Sequence, residues 1–393
     1  RMSKIMKENV ICSCKVCGSK DINEISKKLY SSPYLFKGKE NWFSFRQCIV
    51  CGFVFLANPV NEEELINFYR NLGHLQGLNN LKLIDIQTRF IINNLDNNLQ
   101  SVLDVGCSDY DFLRSFDASV KKYGNDVRVE TERMKDDNVI YFSGKFEELN
   151  TNIKFELIAF RHILEHLVDL DAIFSKVDKV LIDNGFLYIE VPDLYFFKDV
   201  NVINSGFYFE HVNYFSIVSL TNILNKEGFD VIDISQNINP KESLQPYGVI
   251  RCIAKKRPKK ERAVDFSPMN DCFLSKSIVD IHFKKITSLV SNIKTYILEN
   301  KNKKIAIFGA GGNCIEAMNY MDSSMRESIV VYIDNDPKKN GLLLFGKPII
   351  KPKELGDYEI DLIVIFSVVG SKDIKHQLRN LYADEYEIVE PFK

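Results

Sequence analysis

The chain has 393 residues, 45% of them apolar and 12% aromatic, which allows two to four domains with packed cores and excludes a disordered or low-complexity protein. Its 51 Lys and Arg offset 53 Asp and Glu, so a net charge of −2 supplies no overall field for holding nucleic acid or an anionic membrane. The most apolar runs, such as Leu362 to Val369, fall short of the ~20 residues a membrane span needs, and the basic start from Arg1 to Lys7 leads into Asn and Cys rather than a signal-peptide core. The expected setting is cytoplasmic, with neither nucleic acid nor membrane as a partner.

Residues 1–75 carry two near-identical knuckles, Cys14-Lys15-Val16-Cys17-Gly18 and Cys48-Ile49-Val50-Cys51-Gly52, joined by short alternating runs such as Trp42 to Arg46. Two thiolates on one tight turn, repeated, suit a closed tetrahedral zinc site of Cys14, Cys17, Cys48 and Cys51, with no coordination position left for chemistry. The alternatives are two hairpin turns with reduced thiols or a redox pair, which lacks the βαβ context. Cys12 is badly spaced as a substitute ligand.

Residues 76–262 read as alternating strands and helices, hence a mostly parallel sheet covered on both faces. A helical pattern from Leu81 leads into Val102-Leu103-Asp104-Val105-Gly106-Cys107-Ser108-Asp109, where Asp104 ends a strand and Gly106 and Ser108 sit in the turn. Asp126 ends the second strand, where an acid accepts from both ribose hydroxyls. Phe146 follows the third strand at the adenine position, and Arg161-His162 closes the fourth. Without a phosphate-cradling GxGxxG, S-adenosylmethionine fits this pattern better than a dinucleotide. His162-Ile163-Leu164-Glu165-His166 also spells an inverted zinc-protease signature, but it begins at a strand's carboxyl edge with no third ligand evident, and its bland reading is that Glu165 and His166 cap and pack the helix behind the sheet. Further on, Tyr208-Phe209-Glu210-His211 packs three polar groups into one loop. If that loop overlies the sheet edge, His211 can serve as a base near neutral pH and Tyr208 or Glu210 can hold a carbonyl. Otherwise His211 is a structural histidine.

The basic run from Lys255 to Arg262 reads as a charged linker, and 263–300 as a linker helix with Ile278, Ile281, Phe283, Ile286, Leu289, Val290, Ile293, Tyr296 and Ile297 on one face. Residues 301–393 open a second Rossmann-like series at Phe308-Gly309-Ala310-Gly311-Gly312-Asn313-Cys314, with Asp334 downstream. Cys314 replaces the third dinucleotide glycine, so a supporting or substrate-contacting domain fits better than an NAD site.

Taken together, the paired knuckles, the Asp104 turn, Arg161 to His166, Glu190-Val191-Pro192, Tyr208 to His211 and the Gly309-Ala310-Gly311 domain resemble the zinc-containing sugar C-methyltransferases across nearly the whole chain. The resemblance implies a small zinc domain, a central class I methyltransferase sheet and a Rossmann-like C-terminal domain. It implies methylation, from S-adenosylmethionine, of a carbon beside the ketone of a nucleotide-linked 4-keto sugar. His211 would be the base, with Tyr208 and Glu210 beside it, and Tyr69 would match the family's tyrosine before the cofactor domain. The chain departs from the family at Tyr110, where a Gly is usual. O- or N-methyl transfer, an NAD-dependent sugar enzyme and a zinc-ribbon nucleic-acid module are the competing readings. Monomer or homodimer is the expected assembly.

Overall fold

The alternating apolar runs around the knuckles fold as short strands of one small sheet. In the computed structural model, which describes residues 10–36, 40–72, 81–95, 99–108, 110–128, 138–199, 206–239, 247–259, 266–367 and 370–390, this sheet comprises β1 (Ile22–Ser31), β2 (Glu40–Cys48), β3 (Val54–Leu56) and β9 (Asn213–Tyr214) in that order. Gly73 and His74, Asp109 and linker residues 260–262 lie outside the described residues. The period of two shows in β2, where Phe43 and Phe45 are buried and Trp42 is exposed. The chain divides into two compact units, Arg1–Ile25, Phe45–Lys198 and Tyr208–Ile278 against Ser26–Ser44, Asp199–Phe207 and Val279–Lys393.

The first unit holds a seven-stranded sheet. After α1 (Glu62–Leu72) and α2 (Leu81–Asn94) come β4 (Ser101–Val105), α3 (Asp111–Arg114), β5 (Lys121–Asp126), β6 (Val139–Ser143), β7 (Phe155–Arg161), α4 (Leu170–Val180) and β8 (Leu181–Pro192). Following β9, α5 (Ile217–Lys226), β10 (Phe229–Ile238) and β11 (Gly248–Lys256) complete it, in the order β10-β11-β8-β7-β4-β5-β6. Strands β6, β5, β4, β7 and β8 are parallel neighbours, and β11 is antiparallel to both β8 and β10. Every residue of β4 is buried, as a strand covered on both faces requires. Sequence order reverses between β4 and β7, which opens a crevice beyond their carboxyl ends.

Two expectations need correction. Lys255 and Lys256 are not linker but the end of β11, and the buried Lys256 ammonium donates to the carbonyl oxygens of Asp178 and Leu181, each at 2.7 Å, tying the end of α4 to the sheet. The long helix α6 (Cys272–Glu299) forms, and Ile278, Ile286, Val290, Ile293 and Ile297 of the expected face are buried together with Val279 and His282, while Ile281 and Leu289 are exposed.

The second unit contains β12 (Ile305–Phe308), α7 (Gly312–Asn319), β13 (Ile329–Ile333), β14 (Leu343–Leu344), β15 (Lys347–Ile350), β16 (Leu362–Ile365), α8 (Ser371–Tyr382) and β17 (Glu387–Val389). Its sheet runs β14-β15-β13-β12-β16-β17, parallel except for β14. No helix among the described residues is long and apolar enough to cross a membrane.

Tyr110, the departure in the cofactor turn, is fully buried in the core between α3 and the sheet. Gly124 on β5 makes the room: a Cβ there would meet Cys107 Sγ at 2.8 Å and Tyr110 Cε1 at 3.3 Å. Gly124→Ala should therefore cost about 1–3 kcal/mol through overpacking, measured by urea unfolding, and Tyr110→Leu in the same chain should recover part of it. An unchanged midpoint in the single variant would refute this account.

Candidate functional site

Each knuckle closes on its glycine, Gly18 N–H donating to the Cys14 carbonyl at 2.8 Å and Gly52 N–H to that of Cys48 at 2.9 Å. The turns bring Cys14 Sγ within 3.6 Å of Cys51 Sγ and Cys17 Sγ within 3.5 Å of Cys48 Sγ. A tetrahedron of ~2.3 Å zinc–sulfur bonds has edges of about 3.8 Å, so the four sulfurs fit that ion. Hydrogen bonding among the crowded thiols pushes Cys14 and Cys51 up and Cys48 down, leaving negative charge on Cys48 that a cation would neutralise. Cys12 is exposed, with its thiol on the Val10 carbonyl, outside the cluster.

At the carboxyl ends of β4, β5 and β7 lies a cavity of about 330 Å³, within the size range of small-molecule sites. Gly106, Ser108, Asp126, Phe146, Arg161, His162 and Tyr69 line it, together with Arg128 and His166. The first turn is tight: Gly106 and Cys107 N–H both donate to the Asn125 carbonyl, at 2.7 and 3.1 Å, and Gly106 (φ +72°) and Ser108 (φ +55°) are left-handed. A Cβ on Gly106 would lie 2.1 Å from Ile163 Cδ1, so only glycine fits there.

The two strand-end acids divide their work. Asp104 is fully buried and does not line the cavity; it accepts from Arg161 Nε at 3.2 Å and Nη2 at 2.7 Å, and Arg161 stacks 4.0 Å from the Phe112 ring centre. Asp126 does line the cavity. Its carboxylate takes Ser108 N–H at 3.1 Å and a forked pair from Arg128, Nε at 3.0 Å and Nη2 at 2.7 Å. Burial would raise Asp126, but the Arg128 guanidinium holds it below the usual carboxylate range.

The acid–base groups gather at the other side of the cavity. His166 Nδ1 lies 3.0 Å from the Glu210 carbonyl oxygen and 3.1 Å from the Tyr69 hydroxyl, and its ring meets that of His211 edge to face at 4.8 Å. Tyr208 packs against His211 at 5.6 Å. Of these residues, Tyr69 and His166 line the cavity, and Tyr208, Glu210 and His211 are not part of its lining. Burial pushes the Tyr69 phenol up, so it stays a neutral donor, and burial likewise raises Glu210. His211 is driven by burial, and then by the adjacent His166, down to about 3. That ring is neutral with its lone pair available, but it is not tuned near neutral pH.

Sequence reasoning left His166 as a packing residue and overlooked Arg128, Gln87 and Arg251. His166 and Glu165 cap no helix; Leu164–His166 is a 3₁₀ turn, and Asp169 caps α4 by accepting from Ala172 N–H. The cue lay in the H-x-x-E-H string itself. In the second unit, Gly309 is left-handed (φ +101°), and Asp334 is paired with Lys339 at 2.8 Å.

Residues 78–234 match the protein family described as "Methyltransferase domain", and residues 301–389 the family described as "C2185-like, N-terminal". Comparison with curated proteins yields no match. Among solved structures, the chain is similar to the 1,6-didemethyltoxoflavin-N1-methyltransferase of Burkholderia thailandensis with bound 1,6-didemethyltoxoflavin and S-adenosylhomocysteine (14% identity, 52% of this chain and 96% of that one, TM-score 0.38). Others are an S-adenosylmethionine-dependent methyltransferase of Clostridium acetobutylicum (14%, 50% and 100%, 0.37) and the N-methyltransferase NodS of Bradyrhizobium japonicum with S-adenosylhomocysteine (14%, 46% and 90%, 0.35). The family match covers the strands β4 to β8 whose carboxyl ends build the cavity, and this part of the chain is a methyltransferase domain.

Proposed function

We propose that the enzyme methylates a carbon beside the ketone of a nucleotide-linked sugar, with a structural zinc on Cys14, Cys17, Cys48 and Cys51. The observation that carries this reading is the gathering of Glu210 and His211 around Tyr69 and His166, the two of them that line the cavity. S-adenosylmethionine, when bound, supplies an electrophilic methyl group. Asp126 would hold its ribose, Phe146 its adenine, and the Gly106–Ser108 turn its amino-acid end, with Arg161 and His162 forming the floor. The residues around the sugar would do the proton chemistry. His211 takes the proton from the carbon next to the ketone, and the C–H electron pair moves onto the ketone oxygen. Tyr69, held as a neutral phenol, is the group that can donate to that oxygen, Glu210 stands beside it, and Tyr208 braces the His211 ring. A base as weak as His211 must rely on such a donor to acidify the carbon.

For ribose hydroxyls to reach Asp126, Arg128 must yield one of its contacts. Asp126→Ala should then weaken S-adenosylmethionine binding by ~1.5–3 kcal/mol in calorimetry, since it removes a charge-assisted pair of hydrogen bonds. Equal affinity in the variant would place the ribose elsewhere. Metal analysis of freshly purified protein should find zinc, and Cys48→Ser should lose one equivalent and unfold the knuckle sheet; a folded, metal-free protein would end that part of the proposal. In heavy water the enzyme should exchange the proton beside the ketone of a 4-keto nucleotide sugar, and His211→Asn should slow this ~10²–10⁴-fold while leaving cofactor affinity intact. Efficient methylation of a sugar without a ketone would instead point to O- or N-methyl transfer.

A further inference from the structure

Glu165, His166 and His211 place one potential ligand atom each within 4.8 Å of one another, beside the cavity. Glu165 is buried, and its Oε2 has no hydrogen-bond partner among the described residues. Its Oε1 stands 3.9 Å from His166 Nε2. His166 Nδ1 faces two oxygens, the Glu210 carbonyl at 3.0 Å, which can only accept, and the Tyr69 hydroxyl at 3.1 Å; with the hydrogen on Nδ1 for the carbonyl, Nε2 presents its lone pair towards Glu165. A backbone carbonyl on the remote ring nitrogen is how metal-binding imidazoles are commonly oriented. No hydrogen bond reaches the His211 ring among the described residues. His162, the first histidine of the H-x-x-E-H string, cannot join them, because its nitrogens face Glu165 Oε1 at 3.3 Å and Glu190 Oε1 at 3.1 Å.

We propose that Glu165, His166 and His211 bind a divalent cation of the zinc class, separate from the four-cysteine cluster, with its remaining coordination position open to the cavity. Two imidazole nitrogens and one carboxylate oxygen are a three-ligand set of the kind found in zinc sites with an open position. Bonds of ~2.0–2.2 Å require ligand atoms about 3.4 Å apart, so the side chains must draw together by roughly 1 Å. The site goes beyond the proposed methyl transfer and does not depend on it. It does bear on it: a cation on His211 occupies the lone pair that proton removal needs, so the metal-loaded and base-competent forms of the ring exclude each other.

Equilibrium dialysis of the full-length protein against Zn²⁺, and separately Co²⁺, with metal counted per chain, tests the proposal. Wild type should bind one equivalent more than either Glu165→Gln or His211→Asn, each of which should weaken that equivalent by at least ~100-fold, beyond what loss of an outer-shell partner costs. With Co²⁺ the extra equivalent should appear without the intense thiolate-to-metal absorption that a cysteine site gives. Because the count is a difference between wild type and variant, a failure of the four-cysteine site would not disturb it. Since His211 makes no ring hydrogen bond, His211→Asn keeps the test valid should Glu165→Gln fold poorly; circular dichroism checks each. Equal metal content in wild type and folded His211→Asn, or an extra equivalent that carries thiolate absorption, would overturn the proposal.

Discussion

Among the carboxylates buried at the carboxyl edge of the seven-stranded sheet are Asp104, Glu165 and Glu190, and the arrangement of the site follows from how each is compensated. An unpaired buried charge costs several kcal/mol even after relaxation, so none can be left alone. Asp104 takes the Arg161 fork. Glu190 collects Gln87 Nε2 at 2.7 Å, Tyr188 hydroxyl at 3.0 Å, Arg251 Nε at 2.6 Å and His162 Nε2 at 3.1 Å. Burial alone would raise Glu190, but these donors hold it down to about 2. His162 is shared between Glu190 and Glu165. Burial opposes its charge, yet the two carboxylates lift the imidazole well above its ordinary range, and donating from both nitrogens requires the protonated ring. The left-handed backbone at His162 (φ +54°) is the strained turn this bridging stabilises.

That balance explains why the neighbouring histidines differ so much. Three buried acids face three cations, Arg161, Arg251 and protonated His162. Burial, and then His166, push His211 down, and the lift from Glu165 does not offset them. His162, after β7, is thus a charged imidazole that serves as scaffold, and His211, before β9, is a neutral one that offers a lone pair. Proximity in sequence did not decide their roles; the partner at each ring nitrogen did.

The fold was legible because its signal is local. Buried strands such as β4 and β7 read directly from their apolar runs, and Asp104, Gly106 and Asp126 fall at the strand ends where spacing put them. The Cys14, Cys17, Cys48 and Cys51 grouping was legible for the same reason, since each tight turn fixes two of its sulfurs. What sequence could not supply was pairing across distance. Nothing near Asp126 in spacing logic announces that Arg128 folds back onto it, and a burial-neutral Gln87 on α2 gives no hint that it bridges Arg161 and Glu190. Tyr110 looked like an obstruction in the cofactor turn. Its ring turns into the core beside a glycine on the adjacent strand and takes no part in lining the cavity, a compensation visible only in three dimensions.

The cysteine knuckles and the acid–base cluster are linked through hydrogen-bonded backbone rather than by contact with a ligand. β3 begins two residues after Gly52, and it pairs with β9 through Val54 and Tyr214. Val212, next to His211, accepts from Leu56 N–H at 2.8 Å and donates to the Glu165 carbonyl at 2.7 Å. Asn213 Nδ2 then donates to the carbonyls of Leu164 and Leu167, at 2.8 and 2.7 Å. One short strand thereby clamps the His211 loop between the knuckle sheet and the turn that carries Glu165 and His166. A two-residue strand has little stability of its own, so its register rests on β3, and β3 in turn is anchored by the second knuckle. Closing that knuckle around a metal would therefore fix the position of His211 without the metal touching the reacting atoms, in the way an outer shell sets the geometry of the groups it supports.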